Sequence, residues 1–88
     1  MKVRYYKLFE LLARKKKPTF PVFARRLGIL PTEIEKIETN RLPGTETLYT
    51  ICEELECDLD DIMDVFLSEE DEDIYYNSRL LRKNKFVY

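Results

Sequence analysis

The chain has 88 residues, 44% hydrophobic and 36% charged, with a net charge of −2. That length and apolar content suit one globular domain and exclude a disordered chain. No run of about 18 apolar residues occurs, so no membrane-spanning helix is expected. The start, "MKVRYYKLFELLARKKK", lacks the apolar stretch and cleavage site of a signal peptide, and a cytoplasmic protein is expected.

The small net charge hides a partition. Residues 1–26 hold nine Lys/Arg and one Glu, residues 27–73 two basic and sixteen acidic residues, and residues 74–88 four basic residues and no acid. The segment charges are therefore +8, −14 and +4. Such asymmetry marks either a polyanion-binding end or a charged surface that folds onto itself. Cys52 and Cys57 fit no zinc pattern, and the chain has no His. They read as two reduced core thiols. No cofactor or metal is expected.

Val3 to about Lys16 carries apolar residues three and four apart, which predicts a helix with a wide apolar stripe that includes Tyr6, Phe9 and Ala13. Pro18 ends it, because the residue before a proline avoids the helical region. Thr19 is a good N-cap for a second helix, in which Pro21 is tolerated and Phe23, Ala24 and Leu27 face inward. Gly28 stops that helix. Pro31 opens a third, with Ile34 and Ile37 inward. Gly44 or Thr45 opens a fourth, with Leu48, Ile51, Cys52 and Leu55 inward. Asp58 or Asp60 opens an expected fifth, carrying Leu59, Ile62, Met63 and Phe66. No strand pattern is evident before the tail. "SEEDED", Ser68 to Asp73, reads as an acidic break. The tail beyond it reads as a sixth helix over Ile74–Arg82, a frayed end, or a short strand through Phe86–Tyr88. The domain is expected over residues 1–67, with residues 68–88 as an extension.

Two short helices meeting at "RLGIL" have the helix-turn-helix layout. The larger register is more specific: Tyr6, Leu8, Phe9, Leu11 and Leu12; Thr19, Phe23, Ala24 and Gly28; Ile34, Ile37 and Glu38; Pro43 and Leu48; and the ending "LYTICEELECDLDDIMDV". In this the chain resembles the Cro/CI-type (XRE, lambda-repressor-like) helix-turn-helix family, over roughly residues 3–66. The resemblance implies an all-α, five-helix lambda-repressor-like DNA-binding domain. It implies a transcriptional regulator whose third helix docks in the major groove of double-stranded DNA, commonly as a dimer.

With Ile34 and Ile37 inward, a turn of 100° per residue points Thr32, Glu35, Lys36 and Thr39 away from the core. Glu35 can accept from cytosine N4, and Lys36 can reach guanine or phosphate. Lys16, Lys17 and Thr19 before helix two, and Asn40 and Arg41 after helix three, are expected at the phosphates. The resemblance implies that Glu38 is an internal anchor. Its usual arginine partner is replaced by Ala13, and Arg14 is the nearest substitute.

A second reading is a protein-binding module on the same fold, an anti-repressor, antitoxin-like partner or DNA mimic. It rests on a pI of about 5.2 and on an apolar patch of Phe20, Leu30 and Pro31 where DNA should lie. A homodimer is expected through helix five (Ile62, Met63, Phe66) or the tail (Tyr75, Tyr76, Leu80, Leu81, Phe86, Tyr88). An enzyme is not expected, since no Ser/His or Cys/His arrangement and no Gly-rich phosphate loop occur.

Overall fold

The chain enters the fold as a strand. The structure, a computed structural model, describes residues 2–77. Strand β1, Lys2–Arg4, pairs antiparallel with β2, Asp64–Phe66, in the register Lys2↔Phe66, Val3↔Val65, Arg4↔Asp64. The expected helix start at Val3 is therefore displaced. Helix α1 spans Tyr6–Arg14. Tyr5 sits between strand and helix, wholly buried, and its hydroxyl donates to the Arg41 carbonyl at 2.7 Å. Burial pushes its phenol up to about 12. The buried stripe of α1 is narrower than its periodicity suggests. Leu8 and Leu12 are buried, whereas Tyr6, Phe9 and Ala13 are exposed.

Helices α2 (Phe20–Arg26), α3 (Pro31–Glu38) and α4 (Thr45–Leu55) start and stop where the sequence places them. Thr19 occupies the N-cap of α2, Pro31 the first position of α3, and Gly44 the N-cap of α4. The inward residues are those expected: Phe23 and Ala24, with Leu27 partly buried against the core, then Ile34 and Ile37, then Leu48, Ile51, Cys52 and Leu55. Burial raises the Cys52 thiol to about 11 and raises Cys57 as well, so both stay protonated, as core thiols do.

The expected fifth helix does not form. Leu59–Asp61 makes one 3-10 turn, closed by a reciprocal cap between Asp58 and Asp61, and the chain then runs straight into β2. Asp60, Asp61 and Asp64 are poor helix formers, and Val65–Phe66 suit a strand. Pairing with β1 also satisfies backbone groups that a helix ending there would leave open.

The fifth helix lies further on. Residues 69–77 are helical (α5), including most of the acidic run read as a break. The Ser68 hydroxyl accepts the Asp71 N–H at 3.2 Å, an N-cap contact, and acids in a first turn suit the helix dipole. The helix expected over Ile74–Arg82 thus begins earlier. Its part beyond residue 77, and the strand expected through Phe86–Tyr88, lie outside the described residues. The rings of Tyr75 and Tyr76 stand 5.4 and 5.6 Å from that of Phe66, which fastens α5 to β2.

One hydrophobic core joins β1, all of α1–α4 and Ile62. Ile62 is wholly buried and Phe66 nearly so. Ile62 belongs to this core, Met63 packs partly buried against it, and Phe66 is covered by the Tyr75 and Tyr76 rings, so these three are not the open surplus surface expected for a twofold interface. Leu80, Leu81, Phe86 and Tyr88 lie outside the described residues.

Candidate nucleic-acid interface

The surface around α3 is set by three chain reversals. Gly28, at φ +80°, turns the chain between α2 and α3, where the Ile29 N–H returns to the Ala24 carbonyl at 3.1 Å. Lys16 (φ 56°) ends α1 and Asn40 (φ 58°) ends α3, both in the left-handed conformation that closes helices. Their backbones thus fix where Lys17 and Arg41 emerge, since the next N–H bonds back into the helix: Lys17 to Leu12 at 2.9 Å and Arg41 to Lys36 at 2.7 Å. Lys16, Lys17, Thr19, Asn40 and Arg41 are all exposed. The Thr19 hydroxyl does not cap α2. Lys17, Thr19 and Glu38 line one groove of about 460 Å³, floored by Phe9, Leu12, Pro18 and Phe20, which brings the end of α3 beside the basic loop.

On α3, Thr32, Glu35 and Thr39 are exposed and Lys36 is half-buried. Of these four, only Thr32 makes no side-chain hydrogen bond or ion pair among the described residues. Thr39 donates to the Glu35 carbonyl at 2.8 Å and accepts from Arg41 Nε at 2.9 Å. Arg41 Nη2 also lies 3.7 Å from Glu35 Oε1. Lys36 Nζ lies 3.2 Å from Glu33 Oε2. The expected reading face is therefore internally wired, its lysine drawn towards the side of the helix.

Glu33 is the residue that sequence reasoning passed over. Its Oε1 accepts the Gly44 N–H at 2.8 Å and the Thr47 hydroxyl at 3.2 Å. These bonds tie α3 to the start of α4. The Gly44 N–H, then Lys36, hold its carboxyl below the usual carboxylate range. A signal existed: α4 begins at a glycine that offers no capping side chain, so an acceptor from elsewhere is needed. Gly44 also permits the close approach, because a Cβ there would stand 2.9 Å from Glu33 Oε1. Glu38, by contrast, is exposed and forms no ion pair with Arg14 or any other described residue. The internal anchor is Glu33.

The apolar patch expected beside the face is smaller than the sequence implied. Phe20 is buried, edge-on to Phe9 with ring centroids 6.0 Å apart. Leu30 is 65% exposed, and Pro31 is exposed beside it.

The basic residues divide. Lys2 pairs with Glu69 at 3.0 Å, and Lys7 with Asp64 at 2.9 Å. Arg4 meets both carboxylate oxygens of Glu72, Nη2 donating at 3.2 Å. Lys15 Nζ donates to the Leu55 carbonyl at the end of α4, at 3.0 Å. Arg14, Lys16, Lys17, Arg25 and Arg26 form no ion pair or side-chain hydrogen bond among the described residues. Within the described residues no group of three or more His, Cys, Asp or Glu could hold a metal ion, and no helix is long and apolar enough to cross a membrane.

No curated protein sequence matches the chain. Among solved structures, a crystal form of the transcriptional regulator VanUg is similar. It has 28% identity and a TM-score of 0.68, over 74% of this chain and 85% of that one. Residues 7–66 match the Cro/C1-type HTH DNA-binding domain, two-thirds of the chain, a span that runs from α1 through β2. The chain therefore belongs to the Cro/C1-type helix-turn-helix DNA-binding domain family.

Proposed function

We propose that the protein is a sequence-specific DNA-binding transcriptional regulator that docks α3 in the major groove. The observation that carries this reading is the set of unpaired cations around α3. Lys17 stands just past the end of α1, across a groove from Glu38 at the end of α3, with Lys16 before it in the chain, and neither has an acid of its own among the described residues. Non-specific affinity for DNA comes from such phosphate contacts. In this reading Thr19, Asn40 and Arg41 join them at the backbone. Arg41 gives up Glu35 readily, because both partners are well exposed and such pairs are weak. Thr32, and Glu35 once released, meet base edges, Glu35 accepting from cytosine N4. Thr39 and Lys36 share the face but are engaged within α3. The similar solved structure, a transcriptional regulator, agrees with this role.

One α3 spans only a few base pairs. A second copy, bringing a second reading helix about 34 Å away, completes an operator-sized site. The exposed C-terminal residues Val65, Leu67 and Ile74 are the apolar surface proposed for that pairing.

The test is titration of a fluorescent mixed-sequence duplex at several salt concentrations, beside Lys16→Ala/Lys17→Ala. Binding that weakens steeply with salt, and a variant that weakens it further, is the expected result. No binding at about 50 mM salt, where phosphate contacts are strongest, would overturn the reading. The exposed Leu30–Pro31 start of α3 would then be the place to seek a protein partner.

A further inference from the structure

We infer that Glu33 withholds Lys36 from DNA, so that the pair sets how strongly α3 attracts phosphate without regard to sequence. The inference rests on the groove-docking reading. Glu33 Oε1 is occupied by the Gly44 N–H and the Thr47 hydroxyl. Its Oε2 is sealed from solvent, and the Lys36 ammonium at 3.2 Å is the one partner beside it among the described residues. The side chain of Glu33 is 18% exposed and that of Lys36 42%. Moving Lys36 to a phosphate would leave a covered carboxylate oxygen with no compensation, a larger loss than a solvent-screened phosphate contact returns. Arg41 differs. Its partner Glu35 is open to water, so its exchange for phosphate strands nothing. Glu33 cannot rotate away to release Lys36, because Oε1 is pinned to the start of α4. The lysine that best matches a guanine reader in the sequence is thereby a strut within α3. Discrimination is left to Thr32 and Glu35.

The experiment compares wild type, Lys36→Ala, Glu33→Gln and the double variant on a mixed-sequence duplex across salt concentration. Glutamine keeps an oxygen for Gly44 and Thr47 and turns its amide towards Lys36, which frees the lysine. Lys36→Ala alone should leave the logarithmic salt slope unchanged. Glu33→Gln should steepen that slope by about 0.9 and raise affinity ~5-fold near 100 mM salt. The double variant should return to the wild-type slope. A slope that flattens by about 0.9 in Lys36→Ala overturns the inference. So does a folded Glu33→Gln protein with an unchanged slope. If Glu33→Gln does not fold, Lys36→Ala decides alone. The pair is also measurable without DNA, by NMR titration of the Glu33 carboxyl in wild type and Lys36→Ala. An intact pair in a protein that binds no duplex overturns the groove-docking reading, and this inference with it. A wrong slope in a protein that does bind overturns the inference alone.

Discussion

Two groups of cations leave the first third of the chain and reach different surroundings. Lys2, Arg4 and Lys7 meet Glu69, Glu72 and Asp64, which arrive from the far end of the chain with β2 and α5. Lys16, Lys17, Arg25 and Arg26 meet no acid among the described residues. The residue types are the same, and the difference is what folds against them. The first group closes the domain and leaves little field for a polyanion. The second keeps its charge unpaired, and one of its members, Lys17, shares a groove with Glu38 at the end of α3. Part of the acidic middle of the chain is thus paired with the basic residues of β1 and the start of α1.

The sharpest way to break that comparison is to remove one group at a time. Lys16→Ala/Lys17→Ala should lower duplex affinity by about 10- to 100-fold near 100 mM salt and flatten the salt slope by about 1.8, with the thermal midpoint unchanged. A drop in the midpoint instead of the affinity would place these lysines in the structural group. Arg4→Ala should do the reverse. It strands the Glu72 carboxylate, one oxygen of which is covered, and should cost about 1–3 kcal/mol of stability in denaturant unfolding. Duplex affinity, compared at equal folded fraction, should hold.

Two further changes probe the Glu33 connection between α3 and α4. Gly44→Ala places a methyl group 2.9 Å from Glu33 Oε1, so the carboxylate must move off its donors. A loss of about 1–2 kcal/mol is expected, together with a return of the Glu33 carboxyl towards its ordinary range by NMR. A fully stable variant with an unmoved carboxyl would show that the connection is slack. The smallest effect is a control on α4 alone. Glu56 ends that helix at φ 52°, so Glu56→Gly should raise stability by about 0.4–1 kcal/mol and leave affinity alone.

Stability against pH separates the two ends of the range. Burial raises the phenols of Tyr5 and Tyr76 from 10.0 to about 12, so the neutral form is favoured in the folded chain. Their contribution is complete below pH 10.0 and is lost as pH rises towards 12. Glu33 and Glu69 lie below 4.5, so their contribution is present above that pH and is lost as pH falls further. Urea midpoints that are flat from pH 6 to 9 and fall beyond both limits are expected. Tyr5→Phe should shrink the alkaline fall. An equal fall in that variant would assign it elsewhere.

Helices α1 to α4, their inward residues and the Gly28 turn were legible because each depends on neighbours within four residues along the chain. α5 was partly legible: a serine followed by acids is an N-cap signature, and reading it as a charge run concealed the helix. The strands were not legible. Three residues are too few to display a period of two, and "KVR" and "DVF" become strands only when they meet. The sequence by itself determined the family register, and from it the residues expected to face DNA. Tertiary structure decided which of them are free to do so. Arg4 finds Glu72 from the other end of the described chain, and Glu33 finds Gly44 at the start of the next helix. A charge has no fixed role until folding settles which partner shares its low-dielectric surroundings and which charges remain in water.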